Sequence, residues 1–275
     1  MQVKSKLLSG CLLSLAIGLV LICSSQSCAQ SPPLITDDPG TPGDGRWEIN
    51  IVSSMEKTRV NRSFEAPLLD INYGLGRNLQ LKFEVPWLVL HSSEDEPKSG
   101  LGNMNVGVKW RFMDEDEDGI DVSVYPQMEF KSSTESVEGG LSEPAPQFII
   151  PVQALHTFGP VELVGEVGYN IVKHGPNETF YGVAAGGNES RRVELLGELF
   201  GSSENHFHEN ELVFNVGSIV EINRKVNLVF AVGRTIINEA DEGPGYFATV
   251  GVQFNFRAPL WRKKSAPTRR ETLPD

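Results

Sequence analysis

The chain has 275 residues, with 24 lysines and arginines against 36 aspartates and glutamates, and its net charge is −12. A protein this acidic is a poor candidate for binding nucleic acid or an anionic membrane surface, because like charges repel. The three cysteines, Cys11, Cys23 and Cys28, all lie near the amino terminus. The rest of the chain therefore cannot contain a disulfide framework, a thiolate zinc site or a cysteine nucleophile.

The amino-terminal 29 residues have the features of a secretory signal peptide. Two lysines precede an apolar run over residues 12–22, and Ser27-Cys28-Ala29 supplies the small residues of a cleavage site. The run is too short to span a bilayer as a helix. We expect cleavage after Ala29 and export from the cytoplasm. A lipid anchor on Cys23 or Cys28 is the alternative, although neither cysteine follows a complete lipoprotein motif.

Beyond the leader, apolar and polar residues alternate in one segment after another. In one such segment Val106, Val108 and Trp110 share one parity, whereas Lys109 and Arg111 share the other. A period of two with a single apolar face is typical of a strand between two different environments. The segments with this pattern are 46–56, 64–73, 79–90, 104–112, 120–130, 146–156, 161–171, 179–187, 191–200, 211–221, 226–236 and 246–256.

The lengths and connections of these segments favour a membrane barrel. Most segments have about 10 residues, which is typical of strands that span a bilayer and longer than the globular average of about 5–6. Short turns alternate with longer polar loops, the layout of an outer-membrane barrel. We therefore predict an all-β protein, an antiparallel transmembrane β-barrel of about twelve strands, within a range of about 10–14. A soluble sandwich with an aromatic core is the alternative.

An even number of strands places both ends of the barrel on the periplasmic side. The predicted organisation is a signal peptide (1–29), a periplasmic segment (30–45), the barrel (46–257) and a basic, disordered periplasmic tail (258–275). Pro151 falls in the middle of the sixth predicted strand and removes a ladder donor. The placement of that strand is therefore the least secure.

Three stretches carry a resemblance to a known family: TDDPGTPG followed by RWEIN over 36–50, LLDINYGLGRNLQL over 68–81, and GLGN over 100–103. They resemble the start of the outer-membrane barrels named after the MetA pathway of phenol degradation, which are usually described as transporters. The resemblance is clearest over residues 35–130. It implies passage of small, often apolar molecules and offers no catalytic motif.

The last predicted strand resembles the recognition signal of the barrel-assembly machinery. Its pattern of a polar residue, a glycine and two aromatic residues is carried here by Thr249, Gly251, Phe254 and Phe256. The resemblance implies that this machinery and outer-membrane lipid are the partners of the chain. This chain differs from the usual pattern, because such signals usually stand at the carboxyl terminus, whereas here the basic tail follows the strand.

The polar parity of the strands is rich in acids. We predict a lumen lined by acidic and basic side chains, namely Glu84, Asp121, Glu129, Glu162, Glu166, Glu194, Glu198 and Glu211, with Lys82, Lys109 and Arg111. One interpretation is a wet lumen with a negative potential, which admits cations or neutral solutes more readily than anions. The other is that the charges pair and fill the interior.

The predicted function is an outer-membrane channel or transporter for small molecules, either apolar and aromatic ones or cations. A non-conducting structural or adhesive barrel is the alternative, and the long loop 131–145 would then bind a partner instead of constricting the pore. A lipid hydrolase is a lesser alternative, because no histidine has an obvious serine partner. We expect no enzymatic activity, no cofactor and no metal: the acidic run that begins at Asp114 has Tyr125 where a calcium loop needs glutamate.

Overall fold

The structure, a computed structural model, describes residues 33–57, 61–92, 96–143, 146–173, 175–190, 192–204, 209–238 and 245–260. The predicted signal peptide and residues 261–275 of the predicted tail lie outside these ranges. Within the described residues, no helix is long and apolar enough to cross a membrane.

The described residues form antiparallel strands and two short helices. In chain order these are β1 (Arg46–Lys57), β2 (Asn61–Leu75), β3 (Leu79–Ser92), β4 (Lys98–Leu101), β5 (Met104–Met113), α1 (Glu115–Asp118), β6 (Asp121–Val124), β7 (Gln127–Phe130), α2 (Thr134–Glu138), β8 (Gln147–Phe158), β9 (Val161–Val172), β10 (Glu178–Ser190), β11 (Val193–Glu204), β12 (Glu209–Asn223), β13 (Val226–Asn238) and β14 (Tyr246–Arg257).

The sheet closes on itself. Neighbouring strands of the barrel pair with one another, β1 pairs with β14 along its whole length, and β3 pairs with both β4 and β5. Two of the barrel strands consist of two segments each. One is β4 followed by β5, interrupted at residues 102–103, and the other is β6 followed by β7, interrupted at residues 125–126. The result is a closed antiparallel barrel of twelve strands, and the predicted fold class is confirmed.

All twelve predicted segments coincide with barrel strands, including the uncertain sixth, which is β8. Within β8, Pro151 accepts a hydrogen bond from the Tyr125 N–H at 3.0 Å. In an antiparallel pair the N and C=O of one residue point to the same neighbouring strand. The donor that Pro151 lacks would therefore face the interruption between β6 and β7, where the ladder is already broken.

The outward parity of the barrel is apolar. Exposed side chains on this face include Ile51, Leu81, Phe83, Val106, Val108, Phe148, Ile150, Val152, Leu163, Val167, Val183, Leu195, Leu199, Phe214, Val216, Phe230, Val232 and Val250. A continuous apolar surface of this kind requires hydrocarbon around it, because water contact would cost free energy in proportion to its area.

Aromatic rings mark both edges of the apolar surface. Trp47 and Tyr73 lie 4.7 Å apart near the first and last residues of the barrel, and Trp110 lies exposed on the same side. Trp87 and Tyr169 lie exposed toward the opposite ends of their strands. Amphipathic rings are favoured at the boundary between water and lipid.

The two rims of the barrel differ in their connections. The turn rim carries the short connections, such as residues 76–78 and 159–160, and it also holds both ends of the barrel. There the Gly45 N–H donates to the Gly74 carbonyl, and the Ala258 N–H donates to the Gly45 carbonyl. The loop rim carries the longer connections. In outer-membrane barrels the short turns face the periplasm.

We predict that an arginine on the outward face lowers the stability of the barrel strongly at mid-height and only slightly at the rim. Val183 lies near the centre of β10 and Ile222 at the turn-rim end of β12, and both are about half exposed. Val183→Arg should destabilise the barrel in lipid by about 2–4 kcal/mol, against about 0–1 kcal/mol for Ile222→Arg. Denaturant unfolding in bilayers measures both. Equal costs would contradict a lipid-covered surface.

Candidate functional site: the barrel interior

The inward parity of the strands is polar and closely packed. Its buried side chains include Glu48, Asn50, Asp70, Asn72, Gln80, Asn105, Lys109, Ser123, Gln153, Glu162, Glu166, Glu194, Glu198, Asn215 and Gln253. Polar groups removed from bulk water must hydrogen-bond to one another or to the contents of the lumen. Their partners therefore define the site.

The amino-terminal residues 33–43, which we call the inner segment, run from the turn rim into the lumen. At mid-barrel, Glu198 on β11 accepts hydrogen bonds from the backbone N–H of Ile35 at 2.9 Å and of Thr36 at 2.7 Å. On β9, Glu166 accepts from the Asp37 N–H at 3.2 Å. Two of the predicted lumen-lining acids thus hold the backbone of this segment.

Lys109 on β5 holds the same segment from another part of the wall. Its Nζ donates to Asp37 Oδ1 at 3.1 Å and to the Asp38 carbonyl at 2.5 Å, and it lies 4.7 Å from the Tyr125 ring centroid. Only 1% of Lys109 is exposed. A buried ammonium needs such partners, because an unpaired charge in this environment would be strongly unfavourable.

The wall is shaped to receive the inner segment. A Cβ atom on Gly182 would lie 2.2 Å from Thr36 Oγ1, and one on Gly74 would lie 1.9 Å from the Gly43 carbonyl oxygen. Either approach is shorter than any van der Waals contact, so only glycine fits at these two positions. Leu34 packs against two apolar clusters of the inner wall, Leu155–Val164–Ala184 and Leu196–Ile219–Val229.

This placement corrects the expectation that residues 30–45 form a periplasmic segment. Residues 33–38 lie inside the barrel, because their backbone donors meet buried carboxylates there. The turn rim is reached only further along, where Thr41 Oγ1 donates to the Arg77 carbonyl at 2.8 Å. Residues 30–32 lie outside the described part of the chain.

The long loop, described over residues 131–143, lies against the inner face of the loop rim. Leu141 is buried, and a Cβ atom on Gly100 would lie 2.9 Å from its Cδ1. Gly100 is on the parity opposite to the outward-facing Leu101. Ser142 Oγ donates to Asn103 Oδ1 at 2.7 Å, and Asn103 Nδ2 donates to Glu129 Oε2 at 3.4 Å. The loop therefore folds inward at the mouth.

Two recesses flank the inner segment. The loop-side recess has a volume of about 450 Å³ and is lined by Leu34, Ile35, Thr36, Asp37, Leu68, Asp70, Asn72, Gln80, Lys82, Glu84, Asn105, Tyr125, Gln127, Glu129, Ile149, Pro151, Glu166, Asn170, Glu178, Phe180 and Phe200. The turn-side recess, of about 590 Å³, is lined by charged residues that include Arg46, Glu48, Arg192, Glu194, Glu221, Arg224, Lys225 and Arg257.

Several of the predicted lumen residues pair with one another. Lys82 Nζ lies 2.6 Å from Glu84 Oε2. Nearer the turn rim, Arg111 contacts Asp121 at 3.3 Å and Asp114 at 2.9 Å. The remaining carboxylates of the set include Glu162 and Glu194, both buried, and Glu211, which accepts from Thr235 Oγ1 at 3.3 Å. Opposite charges thus pair at two levels of the interior.

The residues proposed as an assembly signal, Thr249, Gly251, Phe254 and Phe256, lie on β14, the last strand, which pairs with β1. Gly251 also has a packing role, since a Cβ atom there would lie 2.8 Å from Val52 Cγ2. Residues 258–260 follow the strand along the turn rim, where the Leu260 N–H donates to the Tyr73 hydroxyl at 3.2 Å.

Solved structures that share this fold include outer-membrane channels and porins. The COG4313 outer membrane channel from Pseudomonas putida F1 is 14% identical, with a TM-score of 0.62, over 82% of this chain and 100% of that chain. NanC porin is 9% identical, with a TM-score of 0.54, over 75% and 98%. KdgM porin is 11% identical, with a TM-score of 0.51, over 76% and 99%. These identities establish a shared fold alone.

No protein-family model matches the chain, and no curated protein matches it by sequence. The fold and the apolar outer surface together identify the chain as an outer-membrane β-barrel.

We predict that the inner segment restricts passage through the lumen. Deleting residues 33–40, which leaves the start of β1 and residues 1–32 intact, should raise the single-channel conductance several-fold because the crossing chain is removed. Planar-bilayer recording of the full-length and shortened proteins measures the change. A deletion of residues 262–269, which follow the last strand in the sequence, is the control and should leave conductance unchanged. Equal conductance of all three proteins would contradict an obstructing segment.

Proposed function

We propose that this protein is an outer-membrane channel for small molecules that favours cations over anions. The observation that carries the proposal is the acidic lining at and above the inner segment. Of the charged side chains that line the loop-side recess, six are acidic (Asp37, Asp70, Glu84, Glu129, Glu166 and Glu178) and one, Lys82, is basic. Carboxylates that line a pore attract cations and repel anions.

Lys109 lies at mid-barrel, where it pairs with Asp37. Most other basic groups of the interior lie at or near the turn rim. Arg192, Arg224 and Lys225 belong to the short connections of the turn rim, and Arg46 and Arg257 are the first and last residues of the barrel strands. A solute that enters from the loop rim meets the acidic recess first. The solute then meets Glu166 and Glu198, the acids that hold the inner segment where it crosses the lumen.

The size of the recesses supports small solutes over polymers. The inner segment crosses the lumen at mid-barrel, and the long loop folds in at the mouth. Between them lies a space of about 450 Å³, which lies within the range that holds single small ligands. A non-conducting structural or adhesive barrel is the second candidate, because the same two segments would close the lumen if they never move.

A relation to the barrels named after the MetA pathway of phenol degradation is a further part of the proposal. Its support is the resemblance of residues 36–50, 68–81 and 100–103. In the structure the first of these forms part of the inner segment and the start of β1, and the third lies at the β4–β5 interruption. The resembling residues thus belong to the elements that shape the lumen.

The lipid-hydrolase alternative receives little support from the geometry of the described residues. His156 Nδ1 lies 2.9 Å from Glu115 Oε1 and 2.9 Å from the Gly119 carbonyl. Glu115 also accepts from the Thr157 hydroxyl at 2.7 Å. This cluster lies at the turn rim, and the glutamate separates the imidazole from the hydroxyl it would have to activate.

We predict a cation preference that depends on the acids of the loop-side recess. In a potassium chloride gradient, the reversal potential of the wild type should have the sign of a cation-selective pore. The double variant Glu84→Gln/Glu129→Gln should shift it markedly toward zero. Glu96→Gln/Glu138→Gln removes two exposed acids of the loop rim and is the matched control. Anion preference in the wild type would refute the proposal.

We also predict that the long loop narrows the mouth. Removing residues 132–143 and joining the ends through a short glycine–serine linker should increase conductance because Leu141 and its neighbours no longer cover the inner wall. A milder variant, Leu141→Ser, should raise the frequency of open events without changing the fully open level. If both variants match the wild type, the loop serves a surface role.

A further inference from the structure

The loop-side recess has two chemically different sides. Phe180 on β10 and Phe200 on β11 form one side, with ring centroids 6.0 Å apart and an interplanar angle of 27°. The other side carries Asp70 on β2 and Glu84 on β3. In the closed ring of twelve strands, β10 and β11 stand opposite β2 and β3. An aromatic wall therefore faces a carboxylate wall across the lumen.

The aromatic wall is fixed in position by packing. A Cβ atom on Gly168 would lie 2.1–2.7 Å from three atoms of the Phe180 ring, so the ring covers the bare backbone of β9. Ile149 and Pro151, from the adjoining β8, extend the apolar side. Opposite a polar wall, an apolar surface of this size favours a ligand with a flat apolar body.

The carboxylate wall has acceptor capacity that its neighbours leave unused. Asp70 is 2% exposed; its Oδ2 accepts from Asn50 and Asn72, whereas its Oδ1 accepts no hydrogen bond among the described residues. Lys82 Nζ forms an ion pair with that oxygen at 3.9 Å, which is too long for a hydrogen bond, and lies closer to Glu84 Oε2, at 2.6 Å. Buried acceptors without donors are costly and favour a ligand that brings donors.

A second buried acceptor lies in the same wall. Asn105 on β5 is 6% exposed, and its Nδ2 donates to Gln127 Oε1 at 3.0 Å. Its Oδ1 has no hydrogen-bond partner within the described part of the chain. Glu129 stands beside it on β7, since Asn105 and Glu129 are register partners. Lys82 pairs with Glu84 at 2.6 Å and with Asp70 at 3.9 Å, whereas within the described ranges no basic side chain forms an ion pair with Glu129.

We infer that the loop-side recess binds an organic ammonium ion with a flat apolar body, the ring resting on Phe180 and Phe200 and the ammonium facing Asp70 and Glu129. This inference deepens the proposed function by naming the class of solute held on the way through the lumen. A cation with an aromatic body satisfies both walls at once, whereas a simple inorganic cation leaves the aromatic wall empty.

Calorimetric titration of the detergent-solubilised full-length protein tests the site. The probe is 2-phenylethylammonium chloride. Three analogues serve as comparisons: ethylammonium lacks the ring, 2-phenylethanol lacks the charge, and 3-phenylpropanoate carries the opposite charge. The probe should bind saturably and each analogue more weakly. Phe200→Leu and Glu129→Gln should each weaken probe binding about tenfold, the effect of losing one buried contact of a charged or aromatic group.

Matched controls separate the recess from the outer surface. Phe214→Leu removes an outward-facing ring on the strand next to Phe200, and Glu96→Gln removes an exposed acid. Both should bind the probe as the wild type does. Equal affinity of the probe and ethylammonium, equal affinity of the probe and 2-phenylethanol, or wild-type binding by Phe200→Leu and Glu129→Gln would each overturn the inference.

Bilayer recording distinguishes this inference from the proposed function. If the protein conducts potassium and the probe neither binds nor reduces the current, the channel proposal stands and the ammonium site is refuted. If the probe binds as described and the protein never conducts, the site stands and the channel proposal fails. Heat-modifiable gel mobility confirms that each variant is folded before either measurement.

Discussion

The structure depends on one constraint, namely that backbone N–H and C=O groups in hydrocarbon have no water to bond to and must bond to one another. Closure of the sheet satisfies this constraint, because β1 pairs with β14 and β3 pairs with β5. Where a proline interrupts a ladder, a neighbouring strand still supplies a donor, as when the Val108 N–H donates to the Pro126 carbonyl at 3.1 Å. Closure leaves the interior as the compartment for acidic side chains.

The acids of the interior serve two purposes at once. Glu198 accepts from the backbone of Ile35 and Thr36 and also from Asn215 Nδ2, so it holds the inner segment in place. We expect the same carboxylates to give the lumen a negative potential. One interpretation of the polar parity, a filled interior, describes the part that the inner segment and the ion pairs occupy. The other interpretation, a wet lumen, stays a prediction. Recesses remain where the inner segment and the loop do not reach.

Much of the fold follows from local pattern. A period of two predicts each strand and its inward face, because successive side chains alternate between lipid and lumen. Lys109 and Glu166 are thus identifiable as inward residues, but the pattern gives no indication that they hold a chain segment. Gly74 and Gly182, inward glycines in otherwise regular strands, are the signal that something approaches the wall closely.

By itself, the sequence determined the twelve strands, their inward and outward faces and the acidic side chains of the lumen, because each of these depends on composition or on neighbouring residues. The export signal stays a prediction from the sequence. The tertiary structure alone decided that the inner segment crosses the lumen and that the long loop folds into the mouth. The contact between Ile35 and Glu198 joins residues 163 positions apart, and the inner segment has no periodic pattern. Only closure of the barrel brings such residues together.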